Sequence, residues 1–160
     1  SCYRACDVLT ERPDWNRKTL LVYGGSQGGY QSFVTAALHP SVTAFAACVP
    51  AGCDHTGTQS HRAPGWPNWA GRTWNGKDAQ KMLAASRYFD GVNFASRIKT
   101  PALVGLGLID TCCPPEGVFA AVNSLQGPKK VVIMPKADHM GDHKAYYAAF
   151  GPFLDEHRKK

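Results

Sequence analysis

The chain has 160 residues, 44% of them hydrophobic and 19% charged, with a formal charge of +6. That length suits one domain with a real core, and no apolar run approaches the roughly 20 residues of a membrane helix, which argues against a membrane partner. Apart from Lys129-Lys130 and the tail Arg158-Lys159-Lys160 the basic residues are scattered, a solvated surface rather than a nucleic-acid footprint, with at most a bias towards anionic or neutral substrates.

The first predicted element is a helix over residues 2–12, and no signal peptide is visible ahead of it. The apolar run 19–23 reads as a strand and residues 30–39 as a helix. Between them lies Gly24-Gly25-Ser26-Gln27-Gly28, a G-x-S-x-G pattern. A serine hydroxyl is a weak nucleophile. A sharp strand-to-helix turn lifts it clear of the sheet and sets it beside the helix N-terminus, where amide N–H groups can meet an oxyanion. Small residues on both sides let the backbone pass through such a turn. The plainer alternative is a Gly-rich turn that binds a phosphate at the helix N-terminus, although no Lys follows the glycines as a Walker loop requires.

Residues 42–49 form a second apolar run, and 50–76 read as a long loop insertion rich in Gly, Pro, His and Trp. A helix is predicted over 77–89, a further turn over 93–97, a buried strand over 101–109 and a helix over 116–125 led by Pro114-Pro115. A fourth strand is predicted over 130–134, and a closing helix over 143–157 with a kink at Gly151-Pro152. Strands without polar alternation, separated by helices, imply an α/β fold: one domain over residues 1–160, with a mostly parallel sheet covered on both faces. The six cysteines show no C-x-x-C or zinc-finger spacing. They read as free thiols, Cys48 as a small buried hydrophobe, and this leans towards a reducing, cytoplasmic compartment.

Acyl transfer at a serine needs a base and a group that orients the base. Asp110 at the end of the third strand and His139 just past the fourth supply them in the order Ser, acid, His, where catalytic groups gather in open α/β sheets. Asp110 also reads as an ordinary cap before Pro114, and His139 as a surface histidine. Asp138, Asp142 and His143 crowd His139 and imitate a metal cluster, but the expectation is a site without metal or cofactor. Gln27 N–H is the expected oxyanion donor. His55 and His61 read as surface residues. Trp66, Trp69 and Trp74 are weaker candidates for stacking on a sugar ring, the alternative being that they plug the core.

With elbow, acid and histidine in place, the chain resembles the C-terminal half of the acetyl xylan esterase and cephalosporin-C deacetylase family of α/β-hydrolases. The resemblance is carried by Gly24-Gly25-Ser26-Gln27-Gly28-Gly29, by Tyr88-Phe89-Asp90 with Asn93-Phe94-Ala95 and Ile98-Lys99-Thr100-Pro101, by Gly105-Leu106-Gly107-Leu108-Ile109-Asp110, and by Pro114-Pro115 with Val118-Phe119-Ala120-Ala121. It implies an α/β-hydrolase sheet without its N-terminal strands. It implies Ser26 as nucleophile, Asp110 as acid and His139 as base, and hydrolysis of small acyl esters, acetyl esters of sugars above all. The chain departs from the family in carrying Met140 where Glu usually follows the histidine, and in the loop between Val49 and Lys77. It also lacks the half that holds the first strands, an Arg-Gly-Gln motif and the second oxyanion donor. Two rival readings stay open. One is a catalytically poor half-domain that assembles through the apolar edge 20–23, an edge that in the esterase reading as well predicts a homo-oligomer. The other is an α/β-hydrolase acting on lactones, thioesters or polyesters, since acyl specificity is set by the pocket.

Overall fold

A computed structural model describes residues 2–69 and 78–158. In chain order the elements are α1 (Cys2–Glu11), β1 (Leu21–Gly25), α2 (Gln27–Leu38), β2 (Ala44–Cys48), α3 (Ala79–Ser86), α4 (Gly91–Ala95), β3 (Ala102–Gly107), α5 (Pro115–Ser124), β4 (Lys129–Met134) and α6 (Lys144–Arg158). Short 3-10 turns occupy Gly57–Ser60 and Arg87–Phe89. Among the described residues no helix is long and apolar enough to cross a membrane.

The four strands are parallel and lie in the order β1-β2-β3-β4. The registers Gly25↔Cys48, Cys48↔Gly105 and Gly107↔Met134 bring the C-terminal ends of the strands to one side of the sheet. Every residue of β2 and β3 is buried, which is why these strands read as unbroken apolar runs. On one face Phe33 of α2 meets Phe45, edge to face with centroids 4.8 Å apart. Val104 and Leu106 pack there with Val118 and Val122 of α5. On the other face Ala44, Ala46 and Leu103 lie under Tyr146 and Phe153 of α6. The small residues there leave room for the Tyr146 ring: a Cβ on Gly105 would come within 2.5 Å of it. A smaller cluster of Cys6, Leu20 and Val42 fastens α1 to the segments that lead into β1 and β2.

Several expected boundaries move. α2 begins at Gln27, not Tyr30, because the serine turn leads straight into the helix. The first strand occupies Leu21–Gly25 and so runs up to Ser26 itself. β3 ends at Gly107, so Asp110 does not end the strand but sits in the turn beyond it. α6 continues through Pro152. All six cysteines are free thiols, and burial pushes the Cys48 thiol up to about 12.

Candidate active site

Ser26 stands between β1 and α2 with φ 53° and ψ −119°, a backbone conformation that L-residues rarely adopt. Three hydrogen bonds hold it there. Its N–H donates to Cys48 O at 2.9 Å, and its C=O accepts from Tyr30 N at 3.1 Å and from Ala51 N at 3.0 Å. The turn is so tight that a Cβ on Gly24 would fall 2.5 Å from the carbonyl carbon of Gly28. A Cβ on Gly28 itself would meet nothing within 4 Å. The first glycine of the pattern is therefore required by the turn, and the second is not. Gln27 is the first residue of α2, where backbone N–H groups have no acceptor within the helix.

His139 lies in the loop that follows β4, with its Nε2 2.8 Å from Ser26 Oγ. Its Nδ1 is 2.9 Å from Asp110 Oδ2. The Asp110 side chain is fully buried and that of His139 is 18% exposed. The other carboxylate oxygen, Asp110 Oδ1, accepts the N–H groups of Cys112 and Cys113, each at 2.8 Å. Asp110 thus caps its own turn with one oxygen and hydrogen-bonds the imidazole with the other. This arrangement buries Cys113. Its thiol is pushed well above its ordinary range, first by burial, then by neighbouring Cys112 and Asp110.

The acidic neighbours of His139 are engaged elsewhere. Asp138 Oδ1 accepts from Met140 N at 3.0 Å, and the Asp138 carbonyl accepts from His143 Nε2 at 3.1 Å. Asp142 caps the first turn of α6, accepting Lys144 N at 2.9 Å, which with Lys144 holds its carboxyl below the usual carboxylate range. These residues shape the loop and the helix start.

The loop after β2 is a surprise in its first residues. Pro50 to His55 are buried, His55 being 3% exposed, so the expectation of a surface histidine is wrong there. The reason is Asp90. Its buried carboxylate accepts Asp54 N at 2.9 Å, His55 N at 2.7 Å and Val92 N at 2.9 Å, capping α4 and pinning the loop at once. In the sequence Asp90 stands out only as part of the run Tyr88-Phe89-Asp90, and the signal of its role is an Asp ahead of a short helix. Burial lowers the His55 pKa from its ordinary value, partly opposed by Asp90 and by the Gly65 backbone. His61 is exposed, as expected.

A cavity of about 340 Å³ opens beside the serine turn. Gln27, His55, Trp66, Trp69 and Phe89 are among the residues that line it. Tyr30 shares the lining, and its hydroxyl donates to Phe89 O at 2.7 Å, tying α2 to the far wall. Trp66 and Trp69 thus share a cavity with Gln27, the residue after Ser26, while Trp74 lies outside the described residues.

A parallel sheet layered by helices, with the serine turn at the C-terminal ends of its strands, defines the α/β-hydrolase class. Within it, residues 1–156 match the family model for acetyl xylan esterase (AXE1), and the chain belongs to that family. It is 40% identical over 147 residues to the acetyl esterase Axe7A of Xylanibacter ruminicola, covering 92% of this chain and 33% of the relative. The acetyl xylan esterase of Paenibacillus sp. R4 superposes with a TM-score of 0.84 at 32% identity, over 98% of this chain and 51% of that one. The Pyrococcus horikoshii acylaminoacyl peptidase shares the fold, with a TM-score of 0.76 at 17% identity over 98% of this chain and 27% of that one. The chain therefore spans only a third to a half of the esterases it matches.

Proposed function

We propose that this chain carries the reaction centre of a serine carboxylic-ester hydrolase that removes small acyl groups, acetyl foremost, from esters of sugars. Ser26 Oγ attacks the ester carbonyl carbon while His139 Nε2 takes its proton. Gln27 N–H at the start of α2 faces the charge that grows on the carbonyl oxygen. His139 then returns the proton to the leaving alcohol, and an acyl-Ser26 ester remains for water to cleave by the same path reversed. Asp110 is the positioning residue: it keeps the imidazole in the tautomer that can accept from Ser26, and it stabilises the imidazolium.

One observation carries this reading: the unbroken hydrogen-bond chain from Ser26 Oγ through His139 to buried Asp110, built on a serine turn of positive φ. A sugar leaving group is favoured by the cavity beside Gln27, whose Trp66 and Trp69 offer faces on which a pyranose can stack. Family membership points the same way. The reading extends to self-association of the 160-residue chain through residues 20–23, because β1 has a neighbour on one side only among the described residues. The deciding experiment is labelling with a fluorophosphonate and location of the adduct by mass spectrometry. The adduct should fall on Ser26, and Ser26→Ala should neither label nor hydrolyse p-nitrophenyl acetate while keeping its fold. An adduct elsewhere, or appreciable turnover by Ser26→Ala, would overturn the assignment.

A further inference from the structure

Cys112, Cys113 and His139 each bring one metal-ligating atom within 4.8 Å of the other two. The turn after β3 creates this grouping. One carboxylate oxygen of Asp110 fixes the backbone of both cysteines, and the other fixes the imidazole. A single buried group therefore holds the two segments that carry these donors side by side. Both sulfurs are free thiols, and Cys112 and His139 are each partly exposed, so an ion has a way in. Two thiols and an imidazole form a soft donor set that suits zinc or cadmium rather than magnesium or calcium. Three protein ligands leave a coordination position for water.

We propose that Cys112, Cys113 and His139 form a site for a thiophilic divalent cation, zinc or cadmium, whose binding breaks the hydrogen-bond chain Ser26–His139–Asp110 at the imidazole and stops ester hydrolysis. Both ring nitrogens of His139 are already engaged, one by Ser26 and one by Asp110, so the imidazole cannot ligate an ion without breaking one of those bonds. Binding forms two metal–sulfur bonds and one metal–nitrogen bond and releases the two thiol protons to solvent. No oxidant or reductant is needed. The inhibitory half rests on the reading of Ser26 and His139 proposed above, whereas the binding half does not.

The test is a titration of the protein with cadmium chloride, read by the ultraviolet charge-transfer absorption of cadmium–thiolate bonds. Wild type should take up one equivalent. Cys112→Ser, a change at a partly exposed position, should weaken binding by about tenfold or more, as should His139→Ala. Cys2→Ser should bind as wild type does. Unchanged binding by the Cys112→Ser and Cys113→Ser double variant would overturn the site. In parallel, zinc should abolish p-nitrophenyl acetate turnover and EDTA should restore it, with Cys112→Ser resisting zinc whatever its basal rate. Cation binding without loss of turnover would overturn the inhibitory half. Should the chain have no turnover at all, the absorption titration still decides whether the site exists.

Discussion

Ser26 and the two glycines around it separate steric requirement from motif habit. A Cβ on Gly24 would collide with the backbone of Gly28, so Gly24→Ala should cost about 1–3 kcal/mol and distort the turn that presents Ser26. Gly28 lies in the first turn of α2 with open space where a Cβ would go, so Gly28→Ala should keep or raise stability, by up to about 1 kcal/mol. Urea melts should shift to lower denaturant in Gly24→Ala and stay in place or shift to higher denaturant in Gly28→Ala. The acid of the site can be tested with equal sharpness. Asp110→Asn should lose turnover by several orders of magnitude, because an amide favours the wrong imidazole tautomer. Asp138→Asn should stay near wild type, because that side chain holds only its own turn. The reverse pattern in p-nitrophenyl acetate assays would reassign the acid.

At the scale of elements, Asp90 ties α4 to the loop that carries the tryptophans. Its carboxylate accepts three N–H groups while buried, and hydrogen bonds to a charged group are worth more than neutral ones. Asp90→Ala should therefore cost about 1.5–3 kcal/mol, and tryptophan fluorescence should report loosening of Trp66 and Trp69 before global unfolding. His55, pinned by the same carboxylate, should make stability depend on pH. Its folded pKa is lowered by burial from the ordinary 6.5, so below about that pH the unfolded chain binds a proton that the folded chain refuses. The contribution is present above the unfolded pKa and is lost as pH falls towards the lowered folded value. Denaturation midpoints measured over roughly pH 5 to 8 should fall on the acid side in wild type and fall less steeply in His55→Phe.

At the scale of the whole molecule, β1 is a terminal strand of the sheet and pairs on one side only among the described residues. Thr43 N donates to Leu20 O and Ser26 N to Cys48 O, so the residues between alternate, and Leu21, Tyr23 and Gly25 turn their backbone groups away from β2. Leu21 and Val22 pack into the two faces of the sheet, so charged or proline substitutions there would damage the core as well as any edge pairing. Tyr23 is 63% exposed, which makes Tyr23→Pro the cleaner probe: it removes an outward N–H and leaves the ladder to β2 intact. Light scattering should find the 160-residue chain as a dimer or larger, and Tyr23→Pro should shift it to monomer. A wild-type monomer would refute the edge reading.

Local chemistry made much of this chain legible. Unbroken apolar runs announced two-sided burial, and the glycines around Ser26 announced a tight turn. Polar residues placed after strands announced where Asp110 and His139 would gather. These features are readable because each depends on neighbours within a few residues. What the sequence alone left open depended on contacts between distant segments. The contact of Asp110 with His139, 29 residues away, came from the register of β3 against β4, while the carboxylate next to the histidine, Asp138, was held by its own turn. The burial of His55 was decided by Asp90, 35 residues away in sequence, and the gathering of Trp66 and Trp69 beside Gln27 came with it. The nearness of Cys112 and Cys113 to His139 arose because one buried carboxylate serves two loops. Periodicity and turn chemistry encode where a chain bends and which face it buries. The choice among several chemically equivalent partners is made only when packing brings them within a bond's reach.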